Sequence, residues 1–192
     1  MGHGPLSILP IFHIRYGGQV GGTSASTYGT VELTSASPTI QNTEFAHNRF
    51  CALQADLQSF PALDGNTLVD NEANGLCLRG GNVSANSTWN VTDTSYYLRG
   101  DVLVNVGVTL TINPDVIVKI GGDRSLFVDG ALRALGTAAD PIYFTSYRDD
   151  TIGGDTNGDG SSTLPNLSDW TRIEFRDFSD DANSLIDYAI IR

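Results

Sequence analysis

A short pattern occurs twice in succession between Pro38 and Gly81, and it restricts the possible folds more than any other feature of the chain. Pro38-Thr-Ile40 returns as Pro61-Ala-Leu63, Thr43-Glu-Phe45 as Asn66-Thr-Leu68, Asn48 as Asn71, and Ala52-Leu53 as Gly75-Leu76. The offset is the same each time, about 23 residues. A unit that short cannot enclose an apolar face of its own and has to stack on its neighbours. Strands broken by turns at this interval suit one coil of a parallel β-solenoid. Coils of that length divide 192 residues into roughly seven or eight rungs, above the minimum of about three.

Strand-like runs continue along the chain: Thr30–Leu33, Val102–Val104, Val108–Ile112, Val116–Ile120, Ser125–Val128, Ala131–Leu135, Ile142–Thr145 and Arg172–Phe175. Each is short, alternates or is rich in β-branched residues, and is bounded by Gly, Pro, Asn or Asp. Turn signals include Asn113-Pro-Asp115, Gly121-Gly-Asp123 and Asp129-Gly130. No stretch reads as a helix of two or more turns. Asn48 and Asn71 share one rung position, which predicts a ladder of stacked side-chain amides rather than a recognition stripe.

The chain divides into regular rungs at 1–81, a polar connection at 82–96 that Trp89 pins to the solenoid, and further rungs at 97–192. An Asp- and Gly-rich insertion at 149–169 interrupts the last part. The whole reads as one continuous solenoid. A structureless loop of that length inside a domain usually has a function. Ser7–Arg15 matches Ser184–Arg192 in residue type at most positions, which suggests one period of a longer tandem array and an open strand edge at Ile190-Ile191.

The net charge of −11 argues against nucleic acids and anionic membranes as partners and is compatible with cation binding. No segment approaches the roughly 18–20 apolar residues of a membrane helix. Leu6–Ile14 is short, contains Pro10, and has neither a basic leader nor a small-residue cleavage site, so it does not read as a signal peptide. Cys51 and Cys77 are out of step with the coil, which favours two unpaired thiols in solenoid strands over a disulfide. Sequons at Asn82, Asn86, Asn90 and Asn166 are weak evidence for a eukaryotic secretory route, since such matches arise by chance in polar loops.

Tyr97-Leu-Arg-Gly-Asp-Val-Leu-Val104, Val108–Pro114 and Val116–Ile120 resemble right-handed parallel β-helix proteins of bacterial cell surfaces. Leu126–Thr137, Pro141–Ser146, Asp169-Trp170 and Ile186–Arg192 resemble them equally. The resemblance covers roughly 42–192. It implies an all-β, right-handed, pectate-lyase-like solenoid in a secreted or cell-surface protein, with motifs specific for fold and loosely tied to chemistry.

Asp155-Thr-Asn157-Gly-Asp159-Gly160 is the strongest candidate site. Oxygen ligands at positions one, three and five with Gly at six match the start of an EF-hand-type calcium loop, and Ser161 would supply a carbonyl at position seven. Position twelve is Asn166 rather than Glu, and strands replace the flanking helices. Asp169, Asp149 or Asp150 would complete the shell instead. The expected metal set is Asp155, Asn157, Asp159, Ser161 and Asp169, around a structural Ca2+ whose binding orders the insertion. His13 and His47 stand apart and do not suggest a transition-metal site.

No catalytic set emerges. Arg172, Glu174, Arg176 and Asp177 surround one predicted strand, which keeps open a polysaccharide lyase or glycoside hydrolase. The polygalacturonase pattern fails: Gly2-His3-Gly4 and the pairs Asp149-Asp150 and Asp180-Asp181 are in the wrong order, and two elements are missing. Tyr16, Tyr28, Tyr96, Tyr97 and Trp89 are candidates for stacking on sugar rings. The expected function is therefore a calcium-stabilised structural or adhesive module, secreted or at the cell surface. Its partners would be carbohydrate or a cell-surface ligand and further repeats of the same chain. The alternative is the enzyme.

Overall fold

The computed structural model describes residues 12–20 and 27–192. Gly2-His3-Gly4 and the first part of the Ser7–Arg15 match lie outside the described residues. The chain winds as an all-β parallel solenoid of about five turns, with no helix among the described residues.

One face is a seven-stranded parallel sheet of Val31–Leu33, Cys51–Ala55, Ala73–Leu78, Tyr96–Leu98, Ile117–Ile120, Ile142–Ser146 and Ala189–Ile191. A second sheet stacks Gly81–Val83, Val102–Val104, Ser125–Val128 and Arg172–Phe175, and a third stacks Ser87–Trp89, Thr109–Ile112, Ala131–Leu135 and Leu185–Asp187. In earlier coils the corresponding places belong to Thr39–Gln41 with Ala62–Asp64, and to Phe12–Arg15, Thr43–Ala46 and Thr67–Val69. The pair Gln19–Val20 and Thr27–Tyr28 is antiparallel.

The repeat seen in the sequence is the register of the sheets. Thr39 pairs with Ala62, Glu44 with Thr67 and Leu53 with Leu76. The coil count is lower than division by the repeat length predicts, for two reasons. Successive partners on the long sheet run Val31, Leu53, Leu76, Tyr96, Val118, Phe144, but the next step, to Ile191, consumes about two coils of chain in loops. The chain before Val31 also places only Phe12–Arg15 in the solenoid's parallel sheets among the described residues.

Alternation decides which residues form the core. Val102, Val104, Leu110, Ile112, Val118, Ile120, Leu126, Val128, Leu132, Ile142 and Phe144 are all fully buried. Burying each such side chain contributes about 1.5–3 kcal/mol, which is how short strands hold together when stacked. Corners are made by residues that tolerate positive φ, Asp115 and Asp123 among them. At Gly130 an added Cβ would stand 2.2 Å from the Val108 carbonyl oxygen, so the Asp129-Gly130 corner admits only glycine.

Residues 82–96 carry the strands Gly81–Val83, Ser87–Trp89 and the start of Tyr96–Leu98. Trp89 is buried and stacks on Tyr96, with ring centroids 5.0 Å apart. The Tyr96 hydroxyl accepts hydrogen bonds from the Asn90 and Val91 amides (3.1 and 3.2 Å), and burial pushes its pKa up to about 12. Trp89 and Tyr96 are therefore core residues, not surface platforms for sugars, while Tyr16 and Tyr28 are exposed.

Cys51 and Cys77 form a disulfide, contrary to the expectation of unpaired thiols, with Cα atoms 6.2 Å apart. Such a separation is ordinary for a bridge. The coil step is not uniform here: Ala73 pairs with Cys51 but Leu76 with Leu53, an irregularity in the register. Cys77 alternates with core-facing Leu76 and Leu78, and both sulfurs gather with Phe50, Ala73 and Tyr97 in a small cluster apart from the main core. Counting residues against a constant coil length misses this.

At the C-terminal side Ala189–Ile191 is the outermost strand of the long sheet, and Ile190 and Ile191 are 40% and 51% exposed.

Candidate functional site

The insertion is a strap. Leaving the strand Ile142–Ser146, the chain crosses the outer face of the long sheet and returns only at Arg172. Along the way it touches three earlier strands or the turns beside them. Lys119, on Ile117–Ile120, donates a short hydrogen bond to the Gly154 carbonyl. The Ser95 and Thr156 hydroxyls bond to each other at 3.0 Å. The Asn74 backbone amide donates to the Thr156 carbonyl (2.9 Å), and the Asn74 side-chain amide donates to the Asp155 carbonyl (2.8 Å). Gly158, at φ 68°, lies so close that an added Cβ would be 2.2 Å from the Asn71 carbonyl oxygen.

These contacts extend the amide ladder. The Asn48 backbone amide and Nδ2 donate to Asn71 Oδ1, and the Asn71 amide and Nδ2 donate to Asn74 Oδ1. Asn48 Oδ1 accepts from the Gly17 amide at the other end. The ladder expected from Asn48 and Asn71 thus runs from Gly17 to the strap. Asn74, three residues after Asn71, supplies the last amide, and nothing in the repeat marks it.

Within the strap, carboxylate oxygens of Asp150, Asp155 and Asp159 lie within 4.8 Å of one another. Asp155 accepts from the amides of Asp159 (3.2 Å) and Gly160 (2.9 Å), the fifth and sixth positions counted from itself. Asn157 Nδ2 is spent on Asp159 (2.7 Å) and Thr163 (2.9 Å). Its Oδ1 is buried without a partner, and so is Asp150 Oδ1. Burial and the nearby Asp155 charge hold the Asp150 carboxyl above its usual pKa. The Thr163 hydroxyl holds Asp159 below its usual value. The three carboxylates, one of them with an orphaned oxygen, make a set of hard oxygen donors, the chemistry that calcium takes.

Of the five residues expected from the sequence, Asp155, Asn157 and Asp159 are linked in this way, and Asp150 joins them. Ser161 is exposed in the following turn. Asp169 does not join: it is buried and holds Arg148 (3.0 Å), the Ser146 hydroxyl (2.6 Å) and the Asn166 amide (2.8 Å). Asp149 is also taken, by the Thr145 and Thr151 hydroxyls and by Arg192 at 2.7 Å. Burial works against its charge, but these partners outweigh burial and lower its pKa. Asp149 and Asp169 therefore anchor the two ends of the strap.

Lys119 was not singled out by motif. It is the only lysine of the chain, and the alternation Val116-Ile-Val-Lys-Ile120 places it outside the core, between Tyr97 and Thr145 in the sheet register. The strap covers it completely, and burial lowers its pKa to about 8 despite the opposing pull of Asp150, Asp149 and Asp155.

Next to the acidic cluster lies a cleft of about 420 Å³, lined in part by Asn66, Asp70, Asp93, Gly153 and Asp155. The other charged surface considered from the sequence lies elsewhere, on the strand Arg172–Phe175. There Arg176 forms a two-point ion pair with Asp129 (2.8 and 2.7 Å), and Arg172 pairs with Glu174 at 2.9 Å. His13 pairs with Glu44 and His47 stacks on Tyr16.

No helix of the described residues is long and apolar enough to cross a membrane. A scan against protein-family models, a search of curated proteins and a search of solved structures found no match to this chain.

Proposed function

We propose that this chain is a structural or adhesive module, a right-handed β-helix of the pectate-lyase-like kind, whose strap is fastened by Ca2+. The observation that carries the reading is the gathering of Asp150, Asp155 and Asp159 within 4.8 Å, beside buried oxygens of Asp150 and Asn157 that have no hydrogen-bond partner. Three like charges at that distance repel one another unless a cation or protons neutralise them. Asp150, Asp155, Asn157 and Asp159 would hold the ion, which would supply the positive charge that draws the strap together. The right hand of the coil follows the resemblance and the general rule for parallel crossovers.

A secreted or cell-surface location is supported by the Cys51–Cys77 bridge, since disulfides persist in oxidising compartments. Contact with carbohydrate or a cell-surface ligand is supported by the cleft beside the strap, where Asn66, Asp70 and Asp93 offer hydrogen-bonding groups. Stacking of further repeats of the same kind is supported by the parallel register in which Ala189–Ile191 continues the long sheet from Ile142–Ser146. Arg172, on the strand Arg172–Phe175, and Arg176, just after it, are both paired with carboxylates, which weighs against the lyase or hydrolase alternative there.

The test is a thermal unfolding series in chelator and in millimolar calcium. The wild-type Tm is expected to rise with calcium, and Asp155→Ala combined with Asp159→Ala to abolish the rise. Identical wild-type curves in chelator and calcium would refute the calcium reading.

A further inference from the structure

We infer that Lys119 is a resident counter-cation of the acidic strap, competing with the divalent ion and setting the affinity of its site. This rests on the calcium reading of the same cluster and adds what regulates it.

Three observations point to this role. Lys119 is the chain's sole lysine and is fully covered, yet it sits on the outward side of its strand, between Tyr97 and Thr145. The group that covers it is the strap, through the Gly154 carbonyl, which immediately precedes Asp155. Its ammonium forms no ion pair within 4 Å among the described residues, while Asp150, Asp149 and Asp155 all attract it. Asp149 is already neutralised by Arg192 at 2.7 Å, which leaves Asp150 and Asp155 as the carboxylates that Lys119 serves. A Lys placed for packing alone would extend its head to water along an apolar surface. This one ends on the carbonyl of Gly154, the residue next to Asp155.

A fixed positive charge there has two consequences for a divalent ion. It offsets part of the negative potential that would attract the ion, and it repels the ion directly. Coulomb repulsion between a nearby unit charge and a divalent ion, in a site only partly screened by water, is large enough to change binding by about tenfold or more. The site is thereby tuned to weaker binding than its carboxylates alone would give. Removal of the charge should tighten binding. A merely structural lysine would have the opposite signature, since its loss would loosen the strap and weaken the site.

The experiment is calorimetric titration of calcium chloride into the wild-type chain, Lys119→Met and Lys119→Arg, each checked for folding by circular dichroism. Lys119→Met removes the charge and is expected to bind calcium at least tenfold more tightly than wild type. Lys119→Arg keeps the charge and is expected to bind within about threefold of wild type. Binding by Lys119→Met alone, with none by wild type, would support the same conclusion in stronger form. Unchanged or weaker binding by a folded Lys119→Met, with wild type binding, would overturn the role of Lys119 and leave the calcium site standing. Absence of binding by every variant would overturn both.

Discussion

Replacing Asn71 with alanine removes the middle rung of the amide ladder and leaves its neighbours short of partners. Asn71 is 2% exposed, so water does not readily take its place. Its Oδ1 accepts from the Asn48 backbone amide and from Asn48 Nδ2, both at 2.9 Å, while its Nδ2 donates to the Phe45 carbonyl at 2.8 Å and to Asn74 Oδ1 at 2.9 Å. Asn48 Nδ2 keeps a second partner in the Ile14 carbonyl, and Asn74 Oδ1 keeps the Asn71 backbone amide. The main losses are therefore at the Asn48 amide and the Phe45 carbonyl. A buried polar group stripped of its partner costs about 1–3 kcal/mol, so Asn71→Ala should destabilise the fold by about 3 kcal/mol. With a urea slope of about 2 kcal/mol/M, the midpoint should fall by about 1.5 M. Asn82→Ala, at an exposed position, is the control and should stay within about 0.5 kcal/mol of wild type. An Asn71→Ala midpoint indistinguishable from that control, with unchanged slope, would refute the claim that the ladder is a buried, fully partnered network.

Two further outcomes follow from named contacts. The Cys51–Cys77 bridge closes a loop with a sequence separation of 26, so replacing both cysteines with alanine should cost about 3.5 kcal/mol by the chain-entropy argument, read by unfolding wild type and variant without reductant. Equal midpoints would mean that the bridge restrains nothing the coil does not already hold. Gly158→Ala would place a methyl on the Asn71 carbonyl and force a residue with φ 68° into strain, so it should lift the strap off the sheet. Thermolysin should then cut between residues 147 and 171 at least tenfold faster while the rungs remain protected, and an unchanged cleavage rate would show that the strap is not docked through this glycine.

Much of the fold was legible in the sequence because a solenoid is built from local repetition. The spacing of Thr39 and Ala62, or of Leu53 and Leu76, is itself the register of the sheet, and alternation within Val116–Ile120 or Ser125–Val128 already separates core from surface. The loop Asp155–Gly160 announced its oxygen donors for a similar reason: neighbours in sequence remain neighbours in a tight turn. What the sequence could not supply was everything that depends on where one coil lies against another. A local shift of register brought Cys51 to Cys77, and loops that consume about two coils of chain before Ala189–Ile191 help to reduce the coils to about five. The path of the strap sent Asp169 to Arg148, admitted Asp150 to the acidic cluster, and set Asn74 at the end of the ladder. It also buried Lys119 beneath the Gly154 carbonyl, 35 residues away in sequence. Periodicity fixes contacts between equivalent positions of adjacent coils. Contacts made by an insertion depend on the direction it takes across the finished surface, which only the folded chain determines.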